Sequence, residues 1–321
     1  MQRRALICGV SGQDGAYLAS LLLEKGYEVW GSSRDAQTSN FGNLSSLGIL
    51  HLIKTISMAP NDFRSVLQAI SRSEPHEIYN LTGQSSVGLS FEQPVETLES
   101  IATGTLNLLE AIRFLGSPIR FYNAGSSECF GDTGSNAADE DTYFHPRSPY
   151  AVAKATAHWL VSNYRSAYGL FACSGILFNH ESPLRHPRFV TRKIIQGAVR
   201  ISRGDQEKLI LGNLAVQRDW GWSPEYVDAM WRILQTDTAD DFVVATGESN
   251  TLEDFVATAF SAVGLDWREH VVQDAGLFRP SEITYSRGNA QKALKILGWE
   301  AKMKMREVVR EMIFHEQISN A

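Results

Sequence analysis

The stretch RALICGVSGQDGAYLASLLLEKGY, residues 4–27, decides the fold. It opens with RALICGV, apolar enough for a buried strand, and closes with GAYLASLLLEKGY, whose apolar residues share one helix face up to a stop at Gly26. Between them lies GVSGQDG, with Gly9, Gly12 and Gly15. Backbone without Cβ lets a pyrophosphate approach a helix N-terminus, where free N–H groups and the helix dipole favour anions. Glycines also serve plain turns, so the triplet alone is weak. Its place between the first strand and the first helix points to a dinucleotide site.

The alternation continues outward from there. EVWGSS, EIYNLTG, IRFYNAGSS and FACSGILF read as strands. DFRSVLQAISRSEP, TLESIATGTLNLLEAIRFLG and PYAVAKATAHWLVSNYRSAYG read as helices, the last ending at Gly169. Such alternation predicts an α/β fold: a doubly wound, Rossmann-like parallel sheet covered by helices, with ligands at the carboxyl ends of its strands. After Asn179 the pattern loosens. NHESPLRHPRFV and LGNLAVQRDWGWSPE read as polar, Arg-rich loops, TLEDFVATAFSAVG and NAQKALKILGW as helices. A segment near Tyr226 to Thr246 is expected to return to the main sheet. The division expected is a dinucleotide-binding domain of residues 1–178 plus about 217–246, and a smaller mixed α/β lobe of about 179–216 plus 247–321.

The composition agrees with a soluble enzyme of two lobes. The chain has 321 residues, more than one hydrophobic core usually spans, with 43% apolar and 21% charged residues. A net charge of −6 argues against a general nucleic-acid binder. No run approaches the ~18 apolar residues of a membrane span. The N-terminus runs into a strand without a signal-peptide pattern, so the expectation is a cytoplasmic protein with no membrane partner. Three scattered cysteines, Cys8, Cys129 and Cys173, fit a reducing compartment. Cys8 and Cys173 read as small core residues; Cys129, beside Glu128, is either another or a site thiol. No cysteine or histidine spacing suits zinc, and no metal is expected.

Three places carry candidate chemistry. SSECFG puts Ser126, Ser127 and Glu128 where a core strand ends; the stretch is either a polar loop or an acid/base. SPYAVAK places Tyr150 and Lys154 four residues apart on one helix face, where an ammonium lowers a phenol's pKa and prepares it as a base. GSSRDAQ ends the second strand: Asp35 suits the 2′-hydroxyl of NAD, Arg34 the 2′-phosphate of NADP, and the sequence offers both.

Together these pieces resemble the extended short-chain dehydrogenase/reductase family, whose members modify nucleotide sugars, and within it the GDP-mannose 4,6-dehydratase family. The resemblance covers nearly the whole chain. It rests on SGQDGAYLASLLLEKGYEV, SSE, HPRSPYAVAK, NYRSAYGLFACSGILFNHESPLR, FVTRKI, RDWG and FRPSE. It implies conversion of GDP-D-mannose to GDP-4-keto-6-deoxy-D-mannose. Tyr150 takes the proton from the 4-hydroxyl as hydride passes to the nicotinamide, with Lys154 on the ribose. Glu128 removes the C5 proton and protonates the departing 6-hydroxyl, hydride returns to C6, and Ser126 holds the sugar near O4.

The resemblance further implies cofactor contacts at Gly9, Gly12, Gln13, Asp14, Gly15, Arg34, Met58, Leu81, Gln84, Tyr150, Lys154, His180 and Arg185. It implies GDP contacts at Asn179, Lys193, Arg218, Arg279 and Glu282, where cations suit a pyrophosphate and a carboxylate suits the guanine N–H groups. The cofactor implied is NADP, and the assembly a homodimer or homotetramer. The chain departs from the family at Ser126, usually Thr, which keeps the hydroxyl. It departs again at RDAQTSN, which replaces an Arg-Arg-Ser-Ser loop and leaves NAD open, and at TISMAPND, where an Asp-Met pair near the adenine is expected. The alternatives are a GDP-4-keto-6-deoxysugar reductase, another GDP-hexose dehydratase, or a non-catalytic dinucleotide sensor. NHESP and RDWG favour the dehydratase over the reductase. The complete Ser126, Glu128, Tyr150 and Lys154 set argues against the sensor.

Overall fold

The computed structural model describes residues 2–319. Strand β1 (Arg4–Cys8) turns into α1 (Gln13–Glu24), followed by β2 (Glu28–Ser33), α2 (Gly42–Ser46), β3 (Lys54–Ser57), α3 (Phe63–Ser73) and β4 (Glu77–Asn80). Next come α4 (Val87–Glu92), α5 (Pro94–Leu98), α6 (Gly104–Leu115), β5 (Arg120–Ser126), α7 (Pro149–Tyr168) and β6 (Ala172–Leu177). The rest comprises β7 (Asn179–Glu181), α8 (Val190–Arg203), β8 (Leu209–Leu211), β9 (Gln217–Arg218), β10 (Trp220–Trp222) and α9 (Ser223–Ile233). It ends with β11 (Phe242–Val244), β12 (Asn250–Thr251), α10 (Leu252–Ala262), β13 (Val271–Gln273) and α11 (Met305–Ser319).

Seven parallel strands form the main sheet in the order β11-β6-β5-β4-β1-β2-β3. Both faces are covered, so neighbouring strand residues are both apolar and diverge. Leu6, with Ile78 and Phe121, packs on α3, α6 and α7 through Val66, Ile70, Leu108, Ile112 and Val161. Ile7, with Val29, Tyr79 and Tyr122, packs on α1 and α9 through Leu18, Leu22, Met230 and Ile233. This two-sided burial is why the strands read as continuous apolar runs. The order reverses at β1, which pairs with both β2 and β4. The connections leave in opposite directions there, opening a cleft at the carboxyl ends.

A second core lies beyond the sheet, with Ile194, Ile195 and Ala198 of α8 meeting Phe255, Val256 and Phe260 of α10 and Val308, Val309 and Met312 of α11. The segment expected to return to the sheet does so as α9 and β11, which pairs with β6. The two stretches read as loops contain short strands instead. β7 pairs with β10, and β9 with β12; β8, just before the second stretch and ending on its Leu211, pairs with β13. Elements of two or three residues are too short to show a period of two. β3, α8 and α11 also go beyond the sequence reading. The long helix expected over residues 97–116 is interrupted: a π-helical turn, Glu99–Thr103, joins α5 to α6. The helix expected in NAQKALKILGW likewise winds as a π turn over Ala293–Leu297. Among the described residues no helix is long and apolar enough to cross a membrane.

Candidate active site

The glycine-rich turn has a division of labour. Gly9 has φ +87°, and a Cβ there would lie 2.8 Å from the Leu81 carbonyl oxygen. A Cβ on Gly15 would lie 2.5 Å from the Gly9 oxygen and 2.7 Å from Val10 Cα. Gly9 lets the backbone after β1 touch the backbone after β4, and Gly15 lets α1 touch the turn itself. Gly12 caps α1 with no side-chain hydrogen bond, leaving the first-turn N–H groups to an outside acceptor. Gly15→Ala is expected to cost roughly 1–3 kcal/mol by overpacking, read as a fall in Tm. An unchanged Tm would mean that the turn relaxes around the methyl.

This turn floors a cleft of about 1530 Å³, lined by Gly9, Gly12, Gln13, Asp14, Gly15, Arg34, Met58, Leu81, Gln84 and Arg185. Its size, its uncapped helix N-terminus and the Arg34 end fit a dinucleotide. Arg34 is exposed on the wall, while Asp35 turns into its own loop, accepting from the N–H groups of Gln37 (2.9 Å) and Thr38 (3.3 Å). A chamber of about 390 Å³ adjoins it, sharing Asp14, Leu81, Thr82, Gly83 and Arg185, and lined by Ser126, Glu128, Tyr150, Lys154, Asn179, His180, Arg218, Arg279 and Glu282.

Ser126 ends β5, and its hydroxyl does two things: it accepts from Glu128 N–H at 3.3 Å and pairs with the Tyr150 phenol. The chain then turns through a short 3₁₀ segment, Ser127–Phe130, which holds Glu128 half-buried at the chamber. Tyr150 and Lys154 stand in the first turns of α7. Its start is fixed by Ser148, which accepts from Ala151 N–H at 3.1 Å, and by Pro149 in the first turn. Lys154 Nζ donates to the Ala124 carbonyl at 2.8 Å and lies 5.9 Å from the Tyr150 ring centre.

Burial depresses Lys154 to about 8. Burial also pushes the Tyr150 phenol up, opposed chiefly by the Ser126 hydrogen bond and, more weakly, by Arg185. The expected lowering of the phenol by Lys154 is therefore corrected. Desolvation of the ring outweighs the cations, and the ammonium is turned towards a backbone carbonyl. Cys129 is no site thiol: it is 1% exposed, its sulfur faces the Ala151 carbonyl at 3.7 Å, and burial pushes it up to about 12. Cys8 and Cys173 are core residues, as read.

The expected GDP contacts split. Asn179, Arg218, Arg279 and Glu282 line the chamber together. Arg218 is buried, donates to the carbonyls of Gln217 (2.9 Å) and Ile283 (2.8 Å), and lies 3.8 Å from Glu282, which Arg279 approaches at 3.7 Å. Lys193 does not line the chamber; on the first turn of α8, its Nζ donates to the Ile210 carbonyl at 2.7 Å.

Two carboxylates of the neighbourhood escaped the sequence reading. Glu181 lines the chamber, is 1% exposed, accepts from Thr191 at 2.7 Å and faces Arg185 at 3.2 Å. Asp219 is fully buried and accepts from Thr246 N–H (2.9 Å), its hydroxyl (2.7 Å) and Gly247 N–H (2.9 Å), tying the end of β11 to the residue after Arg218. An ionisable residue beside Trp in RDWG was the available signal.

The family described as GDP-mannose 4,6 dehydratase matches residues 6–312. GDP-mannose 4,6 dehydratase 1 of Arabidopsis thaliana is 47% identical over 96% of this chain and 88% of its own. The Homo sapiens GDP-mannose 4,6 dehydratase is 40% identical over 96% of this chain and 90% of its own. Among solved structures, the UDP-glucose 4-epimerase of Thermus thermophilus, complexed with NAD, superposes with a TM-score of 0.85 at 25% identity, covering 98% of this chain and 99% of that one. RMD from Pseudomonas aeruginosa, complexed with NADPH, gives 0.82 at 22% identity, covering 100% and 99%. With the parallel sheet, the glycine-rich turn and the Ser126–Glu128–Tyr150–Lys154 cluster in place, this chain belongs to the GDP-mannose 4,6-dehydratase family.

Proposed function

We propose that this protein is a nucleotide-sugar lyase that converts GDP-D-mannose to GDP-4-keto-6-deoxy-D-mannose with loss of one water. One observation carries the reading: Glu128, Tyr150, Lys154 and Ser126 face the same chamber as Arg218, Arg279 and Glu282, beside the cleft of the glycine-rich turn. The cleft of the glycine-rich turn, with Gly12, Gln13 and Arg34 on its lining, would hold a nicotinamide cofactor, which would supply reversible hydride chemistry for C4 and C6 with no net change. Tyr150 takes the proton of the 4-hydroxyl, and Ser126 orients that oxygen. The resulting 4-ketone acidifies C5–H, which Glu128 removes. Glu128 then passes the proton to O6 as the C6–O bond breaks and water leaves. When C6 is reduced, C5 needs a proton, and Tyr150 holds the one it took from O4. Lys154 anchors the ribose, and Arg218 with Arg279 offsets the pyrophosphate charge.

NADP is the cofactor in this reading. Arg34 reaches the cleft and has no ion pair among the described residues, while Asp35, the residue suited to NAD, is engaged in its turn. Arg34→Ala is expected to weaken NADP roughly 10- to 100-fold, the loss of a charge-assisted hydrogen bond, and NAD far less. Equal losses in fluorescence titrations would mean that Arg34 does not discriminate.

The proposal includes two units. A cofactor unit of residues 1–178 plus about 217–246 would sit beside a nucleotide-sugar unit of about 179–216 plus 247–321, supported by the separate core of α8, α10 and α11. It also includes a homodimer or homotetramer, supported by apolar side chains left exposed on α5 and α7: Val95, Leu98, Val152 and Trp159. Sedimentation of the purified chain tests the assembly. Mass spectrometry of GDP-mannose with sub-stoichiometric NADP, repeated with NAD, tests the activity. Loss of one water from many equivalents of substrate, without net cofactor reduction, is expected. No conversion, with reduced cofactor consumed on the 4-keto-6-deoxy sugar, would make the protein a reductase.

A further inference from the structure

We propose that His180 is an imidazolium at neutral pH and that its pair with Asp14 is a latch, fixing the glycine-rich turn against the strand that begins the sugar side of the site. Asp14 lies in the first turn of α1 and His180 in β7, 166 residues later. His180 is 8% exposed. Its Nδ1 lies 2.7 Å from the Phe178 carbonyl oxygen, and its Nε2 lies 2.9 Å from Asp14 Oδ2. A carbonyl oxygen only accepts, so Nδ1 carries a proton. A neutral ring has no second N–H and would set a bare Nε2 against a carboxylate oxygen. One proton must therefore lie between Nε2 and Asp14.

Four features place that proton on the histidine. Asp14 sits at the N-terminus of α1, where the helix dipole favours an anion. Ser223 Oγ donates to its other oxygen at 2.8 Å. Lys154 and Arg185 both lie within electrostatic reach of the carboxylate, Lys154 while it donates to the Ala124 carbonyl. The imidazole stacks on the Tyr226 ring, with centres 4.5 Å apart and planes 24° apart, a surface that favours a cation. Arg185 opposes the charge on His180, but Glu181 holds that guanidinium at 3.2 Å. Burial also disfavours the charge, yet the Asp14 pairing raises His180 above its usual range and lowers Asp14 below its own. Gln13 closes the latch a second time: its Nε2 donates to the His180 carbonyl at 3.0 Å, and its Oε1 accepts from Ser182 at 2.8 Å. Both residues that follow Gly12 are thus held by protein groups of the opposite lip. Their part in cofactor binding is to position the turn.

The pH window follows from the two directions. The His180 contribution is complete below its ordinary value of about 6.5 and is lost as pH rises through its raised value. The Asp14 contribution is complete above about 3.9 and is lost as pH falls through its lowered value. The latch is intact between.

The charge state does not depend on the proposed function; only its effect on cofactor affinity does. The test uses the full chain labelled with ¹⁵N-histidine, with His180 assigned by difference from His180→Gln. At pH 7.5 both ring nitrogens of His180 are expected to be protonated; a neutral tautomer there would overturn the proposal. Asp14→Asn keeps an acceptor for Nε2 and removes the charge. The His180 midpoint is then expected to fall by about one pH unit or more, and the NADP Kd at pH 7 to rise roughly tenfold. A purely structural contact would not move the midpoint, so an unmoved midpoint also overturns the latch. Wild-type protein that binds neither NADP nor NAD, yet shows the charged His180, would sink the cofactor reading and leave the charge assignment standing.

Discussion

Glu128→Gln is expected to stop the loss of water from GDP-mannose, lowering turnover by roughly 10²–10⁴-fold, the range for removal of a general acid/base. The amide matches the carboxylate in shape, so the chamber should still form. It cannot take the C5 proton or give one to O6. The backbone of residue 128 stays held by the Ser126 hydroxyl, and Arg218, which the Glu128 charge favours, stays anchored to the carbonyls of Gln217 and Ile283. GDP and cofactor affinities should therefore change little beside turnover. Exchange of the C5 hydrogen with deuterated solvent reads the first half of the step separately and should be lost as well. Near-normal turnover in this variant would remove Glu128 from the mechanism.

Tyr150→Phe is expected to cost a similar factor, roughly 10²–10⁴-fold, but earlier in the sequence. Without the phenol, the 4-hydroxyl keeps its proton and transient reduction of the cofactor should disappear. In the Glu128→Gln variant that transient should persist, and the difference separates the two residues. Burial holds the phenol above its usual range, so its proton is released only with help from Ser126 and Arg185. Lys154, brought down to about 8 by desolvation, loses its charge as pH rises through that value. Turnover of the wild type should accordingly fall above about pH 8. An undiminished rate well into the alkaline range would mean that the ammonium form is not required.

The legible part of this fold was the sheet. Strands buried on both faces have no alternating solvent-facing positions, so a mostly apolar run such as ALIC or ACSGIL identifies itself without its neighbours. The short strands β7 to β10 were not legible. Two or three residues have no period, and each is held by a partner far away in the chain, as Trp220 is by Asn179. The π turns were hidden for a related reason. Glu99–Thr103 has ordinary helical residues, while Ile101 within it packs on Gly83 so closely that an added Cβ there would lie 2.5 Å from its side chain.

By itself the sequence determined where the glycine-rich turn lies, which helix face carries Tyr150 and Lys154, and that Glu128 directly follows a core strand. Each of these follows from spacing within one or two elements, where helix and strand geometry leave little choice. Tertiary structure alone decided the rest. It turned Lys193 to the Ile210 carbonyl, buried Cys129, engaged Asp35 in its own loop and left Arg34 to the cleft. It also set both nitrogens of His180 against oxygen atoms, one of them from a residue 166 positions away. Those outcomes depend on which groups meet across crossovers and how far each is withdrawn from water, and no local spacing encodes either.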